Sequence, residues 1–244
     1  MEDIQPKRTR RKRRNKYRMR MDLLEAVSHV LKDKGFLNLN INSVCEDADV
    51  DRNAIYRHFG DFDNLLTQFI ETKDFWLDSL QSIVNMEIND YKMFLKQLLI
   101  TQYEQINKNP ELQQLLVWEV SELSLRTKTV AERRETISES LIKKYEKHFE
   151  KSGLDINIII ALLVSGIYYS ILHKRHSTFC LVNFNKEKER MMAGIDQMVE
   201  ILFEAKEAKE KTKDIAIKAL KKGIDKETVS EITGLTIEEI KSFA

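Results

Sequence analysis

Proline and glycine are scarce in this chain, at 2 and 7 of 244 residues, and no alternating runs of β-branched residues stand out. Sheets and tight turns lack their usual punctuation, so the expected fold class is all-α. Cysteine is nearly missing too. Cys45 and Cys180 stand far apart, with no metal-binding spacing and no disulfide framework, which fits a reducing cytoplasm. The first residues lack the apolar core of a signal peptide. The longest apolar run, Ile158 to Leu172, is interrupted by Ser165, Gly166 and Ser170. It falls short of the roughly 20 residues a bilayer requires, so the expectation is a cytoplasmic protein without a membrane partner. Nucleophile elbows, phosphate loops, GxGxxG and paired CxxC motifs are all lacking. His173 and His176 lie three apart, but the sequence places no third ligand, and Lys174 and Arg175 between them mark a polar helix end. Glu119 and Glu122 share a helix side, where paired acids are usually solvated. No enzyme activity, metal or cofactor is expected.

What is present is an uneven charge. Residues 1–60 hold 14 Lys/Arg and 9 Asp/Glu, a net of +5, and the remainder nets −4. Positive charge at one end implies a polyanionic partner there. Within that end, Asn40 to Gly60 reads as two short helices around a tight turn. Ile41, Val44, Cys45 and Ala48 give the first an apolar face, with Asn40 as its N-cap. Asp49 sits at the turn, where Asp tolerates a left-handed backbone better than most residues. Val50 plugs the turn and Asp51 caps the second helix. Ile55 and Phe59, four apart, face inward, which leaves Arg52, Asn53, Tyr56 and Arg57 outward with His58 at the edge. That outward face suits the major groove: Arg can pair with guanine, Asn with adenine, and Tyr can hold a phosphate.

Lys34 to Leu66 resembles the DNA-binding domain of the tetracycline-repressor (TetR/AcrR-like) family. The matching residues are Gly35-Phe36, Val44-Cys45, Ala48-Asp49-Val50, Ile55-Tyr56-Arg57-His58-Phe59 and Leu65-Leu66. Asp49 stands where the family usually has Gly, and Phe62 where it usually has a phosphate-binding Lys. The DNA-contact set expected here is Asn40, Asn42, Arg52, Asn53 and Ala54, with Tyr56, Arg57 and His58. Arg10 and Arg11 join it from a basic arm, Lys7 to Arg20, which carries ten basic residues and no acid. The arm is expected to be disordered alone and to follow phosphates or enter the minor groove. From about Arg13 a helix should carry Tyr17, Met21, Leu24, Val27 and Leu31 on one stripe, ending at Gly35.

Beyond the head, apolar spacing predicts a long linking helix from Asp61–Asp63 to about Asn85. Helices follow at 90–108, from Pro110, at 127–151, at 156–177 and at 186–205. The resemblance implies that the last two of these pair with their copies as a dimer interface, exposing Ile159, Leu163, Ile167, Met198 and Leu202 in a monomer. Residues 206–244 form a separate helical tail. Asp225 caps one short helix, Gly234 ends it, and Thr236-x-x-Glu239 is a capping box for the next. With 9 basic and 8 acidic residues the tail shows no basic face, which favours a packing or partner-contact role over a second DNA-binding unit.

The domains expected are therefore 1–66 for DNA binding, 67–205 for regulation and dimerisation, and 206–244 as the tail. The resemblance implies a homodimeric transcriptional repressor on a palindromic double-stranded DNA operator, released by a small apolar effector. Trp76, Tyr103, Trp118, Tyr168 and Tyr169 are the expected effector contacts. Two alternatives remain: a ligand-independent, architectural DNA binder, and a helical interaction protein with a basic arm.

Overall fold

The computed structural model describes residues 7–72 and 88–243. Among them are eleven α-helices and no β-strand. They are α1 (Lys7–Lys34), α2 (Ile41–Asp47), α3 (Arg52–Phe59), α4 (Phe62–Thr72), α5 (Tyr91–Lys108) and α6 (Pro110–Ser121). The others are α7 (Leu125–Phe149), α8 (Ile156–His173), α9 (Lys188–Lys221), α10 (Lys226–Thr233) and α11 (Ile237–Phe243). The chain divides into two compact units: residues 1–86 with 105–138, and residues 87–104 with 139–244.

The first unit is built on the stripe of α1. Leu23, Val27, Val30 and Leu31 are buried against Val44 of α2, Ile55 and Phe59 of α3, and Leu65, Leu66 and Phe69 of α4. Gly35 ends α1 with φ 78, ψ 167, a conformation open essentially to glycine alone. One expectation needs correcting here. The helix begins at Lys7, not near Arg13, and so includes residues expected to be disordered. Lys and Arg are good helix formers, and a helix already nucleated by its packed stripe extends at little cost per residue. Trp118 and Leu115 of α6 also join this core, a packing that local periodicity cannot reveal. The linking helix is described as far as Thr72, and the rest of the span expected for it, to about Asn85, lies outside the described residues.

In the second unit, α5 and α9 carry opposed charges along their facing sides. Lys92 bonds Glu200 at 2.8 Å, Lys96 pairs with Asp196, and Lys188 bonds Glu104 at 2.9 Å. Rising numbers on α5 meet falling numbers on α9, so the helices run antiparallel. Below these pairs Leu95, Leu99, Tyr103, Ile195, Val199 and Phe203 are buried. Tyr145 donates its hydroxyl to the Tyr91 carbonyl at 2.9 Å, and the Tyr91 ring stacks on His148 at 4.0 Å.

The helix expected at 186–205 and the first part of the helical tail expected from 206 are one continuous helix, α9. Neither Gly nor Pro falls between Gly194 and Gly223, and Lys206–Glu210 and Glu207–Lys211 are i,i+4 pairs in the turns that directly follow the expected break. Helix α8, with mean hydropathy 1.8, is by length and composition alone long and apolar enough to cross a membrane. Its serines do not interrupt it, because Ser165 donates to the Leu162 carbonyl (3.1 Å) and Ser170 to that of Gly166 (2.7 Å). In this fold Ile156, Ile160, Ile167 and Ile171 are buried within the unit.

Candidate nucleic-acid interface

Helix α3 is held at both ends. Asp51 Oδ1 accepts the Ala54 N–H at 3.0 Å as N-cap, and Gly60, with φ 87, closes the far end. Asp49 takes the left-handed conformation at the turn, φ 51, as expected of a residue standing where Gly is usual. Ile55 and Phe59 are buried, and Arg52, Asn53, Tyr56 and Arg57 are exposed on the opposite side. Arg52 donates to Asn42 Oδ1 at 2.5 Å, which ties the outward face of α3 to α2. Arg57 Nε donates to the Asn53 carbonyl at 3.2 Å.

Asn40 is exposed, but its side chain is engaged. Its Oδ1 accepts from the Asn42 and Ser43 N–H groups, and Ser43 Oγ accepts from the Asn40 N–H in return, a reciprocal cap. Ala54 does not belong to the outward face: it is 3% exposed. Lying next to Ile55 on an eight-residue helix, it falls on the core side. His58 is half-buried, and its Nδ1 is enclosed without a hydrogen bond. Burial, then Lys16, Arg57 and Arg20, all push its pKa below the ordinary histidine value. The side chains of Arg10 and Arg11 lie outside the described residues.

A residue that looked like part of the basic arm has a different job. Arg20 donates to the His58 carbonyl and to Gln68 Oε1, and its guanidinium lies 4.3 Å from the centre of the Phe59 ring. It joins the end of α3 to α4 and so sets the attitude of the outward face. Phe62 opens α4 and packs against the head core.

The described aromatics among those expected around an effector are divided between the two units. Trp118 is buried in the core of the first unit, where its Nε1 donates to Glu122 at 2.5 Å. Tyr103 is fully buried in the second unit, Tyr168 is half-buried, and Tyr169 is exposed and stacked on His173 at 5.2 Å. Trp76 lies outside the described residues. The reason is helical phase. Large aromatics separated by whole helices point to whichever core each helix faces. The second unit does hold an apolar groove of about 290 Å³, bordered by Leu99, Leu162, Gly166, Gly194 and Met198, and no aromatic lines it.

The tail repeats the frame of the head. Asp225 caps α10 by accepting the Thr228 N–H at 2.8 Å, and Gly234 is left-handed with φ 71. Thr236 and Glu239 form the expected reciprocal cap at the start of α11. Asn40 and Asp225, Asp49 and Gly234, Val50 and Leu235, and Asp51 and Thr236 are each separated by 185 positions. The same offset links the fully buried pairs Val44 and Val229, and Ile55 and Ile240. The surface chemistry is not repeated. Where the head has Asn42, Arg52, Asn53 and Tyr56, the tail has Glu227, Ile237, Glu238 and Lys241.

Residues 209–244 match the C-terminal HTH domain of the Rpn/YhgA-like nuclease family. No curated protein matches the sequence. Two solved structures share the fold. A candidate fatty acid metabolism regulator of Clostridium perfringens superposes with a TM-score of 0.55 at 18% identity, over 72% of this chain and 97% of that one. A candidate TetR-family transcriptional regulator from Rhodococcus sp. superposes with a TM-score of 0.50 at 16% identity, over 75% and 99%. The fold is thus all-α and resembles that of TetR-like regulators.

Proposed function

We propose that this protein is a sequence-specific DNA-binding transcriptional regulator acting as a homodimeric repressor in the cytoplasm. The observation that carries the proposal is the outward face of α3. Four exposed donors or aromatics, Arg52, Asn53, Tyr56 and Arg57, stand on a helix whose other side is locked into a three-helix head. Residues 1–66 are the DNA-binding part and 67–205 the regulatory and dimerising part. Residues 206–244 form a tail with a helix-turn-helix frame but without a DNA-reading surface.

Dimerisation is supported by the apolar faces of α8 and α9. Ile158 and Leu162 on the first, and Met198 and Ile201 on the second, are exposed in a single chain. This face is turned from the one expected, since Ile167 and Leu202 are buried within the chain. A patch of this kind marks an interaction surface, and a two-fold pair would bury it and present two copies of α3 to a palindromic operator. Release by a small apolar effector is the finer part of the proposal. The effector is to be sought by thermal shift across apolar compounds.

The deciding experiment is fluorescence anisotropy with DNA from the promoter of the protein's own gene, alongside random duplex, across a salt series. Tight binding to the first and weak, salt-sensitive binding to the second is expected. Equal affinity for both would replace the regulator with an architectural DNA binder. Binding to neither would leave a helical interaction protein. Cleavage of the DNA would assign an enzyme.

A further inference from the structure

The connection between α8 and α9 contains a turn that costs energy to hold. Phe179 and Val182 exchange both backbone hydrogen bonds, at 3.1 and 3.0 Å, across a two-residue loop. Both loop residues have positive φ, 50 at Cys180 and 62 at Leu181. A two-residue turn with both centres left-handed is normally filled by Asn or Gly, and a branched Leu is among the poorest choices for it. The surroundings hold the turn in place. Asn185 Nδ2 donates to the Lys174 carbonyl at 2.5 Å, the Asn183 N–H bonds Glu187 at 2.7 Å, and Phe179 packs edge-on against Tyr169 at 5.0 Å. Strain maintained by its surroundings is a mark of function. What the strain achieves here is to hold Leu181 outward, 90% exposed.

The same unit contains a hole of matching character. The apolar groove between Leu162 and Met198 owes its depth to Gly166 and Gly194, at each of which a Cβ would meet nothing within 4 Å. Knob and hole lie in the same unit, and Leu162, Tyr169 and Phe179 are all exposed, the last two packed edge-on at 5.0 Å. A chain that carries both halves of a contact is suited to a self-complementary, two-fold pairing, in which each half is used twice. We propose that in the homodimer the Phe179–Val182 hairpin of one copy seats Leu181 in the Leu162–Gly166–Gly194–Met198 groove of the second copy, and the reverse. This rests on the homodimer reading above and adds the segment that specifies it.

The test is sedimentation equilibrium on the full chain, comparing wild type with Leu181→Ser and Gly166→Leu. The first removes the knob. The second grows a side chain into the hole from a Cβ that meets nothing within 4 Å in the single chain, and it replaces Gly by a better helix former. Each is expected to raise the dimer Kd at least about tenfold, the range expected for a central interface anchor. The double variant should be no weaker than the weaker single, because both act on one contact. Variants that dimerise as tightly as wild type would overturn the hairpin contact and leave the homodimer standing. A wild-type monomer at micromolar concentration would overturn the homodimer itself.

Discussion

Arg52 and Arg20 are both guanidinium groups at the surface of the head, and their surroundings give them opposite duties. Arg52 is exposed at the start of α3 with only Asn42 as a side-chain acceptor, which leaves donors for a base edge. Arg52→Ala should cost about 1–3 kcal/mol on the specific operator and relax sequence preference at one position. Equal losses on specific and random DNA, measured by anisotropy, would make it a phosphate contact. Arg20 is spent inside the protein on the His58 carbonyl, Gln68 and the Phe59 ring. Arg20→Ala should destabilise the head by about 1–2 kcal/mol in urea unfolding, and it should weaken operator binding through α3. An unchanged unfolding midpoint would remove its positioning role.

At the scale of elements, the two helix-turn-helix frames separate architecture from chemistry. Caps, left-handed turn residue and buried pairs recur in α10 and α11 as in α2 and α3, so the frame alone does not define a DNA reader. The surface does: Glu227 and Glu238 stand where Asn42 and Asn53 stand in the head, and acids there repel phosphates. Deleting residues 223–244 should therefore leave operator affinity within about twofold of the full chain at fixed salt. A drop of tenfold or more would assign the tail to DNA after all. The basic end of α1 predicts the reverse. Removing residues 1–12 should lower affinity for every sequence, and flatten the salt slope by about 0.9 for each phosphate left without its cation. An unaltered slope would return that segment to solvent.

For the molecule as a whole, acid sensitivity follows from two histidines. His58 in the first unit and His148 in the second are both held below the ordinary value of 6.5, each chiefly by burial. Lys16, Arg57 and Arg20 add to the effect at His58. Lys206 adds to it at His148, where Glu210 opposes it. A depressed histidine stays neutral in the folded chain, and the unfolded chain takes up the proton first. Stability should thus be fully present above the unfolded value and fall as pH drops from about 6.5 towards the folded values. His148→Phe keeps a ring beside Tyr91 and removes the proton site. Its Tm should decline less than that of wild type between pH 7 and 5, and an identical decline would assign the acid sensitivity to other groups.

Much of this could be read in order along the chain. The stripe of α1, the caps at Asn40, Asp51 and Asp225, and the turn at Asp49 are local, because each depends on neighbours within a few residues. So does the outward face of α3, since burying Ile55 and Phe59 leaves Arg52, Asn53, Tyr56 and Arg57 nowhere else to point. Tertiary structure decided which core each stripe meets. Trp118 fills the head, Tyr169 stays outside, Arg20 leaves the arm for α3, and α9 runs unbroken where two helices were expected. Periodicity reports that a face is apolar, but it carries no information about the distant segment that will cover it. That choice is made by packing, between residues tens to hundreds of positions apart.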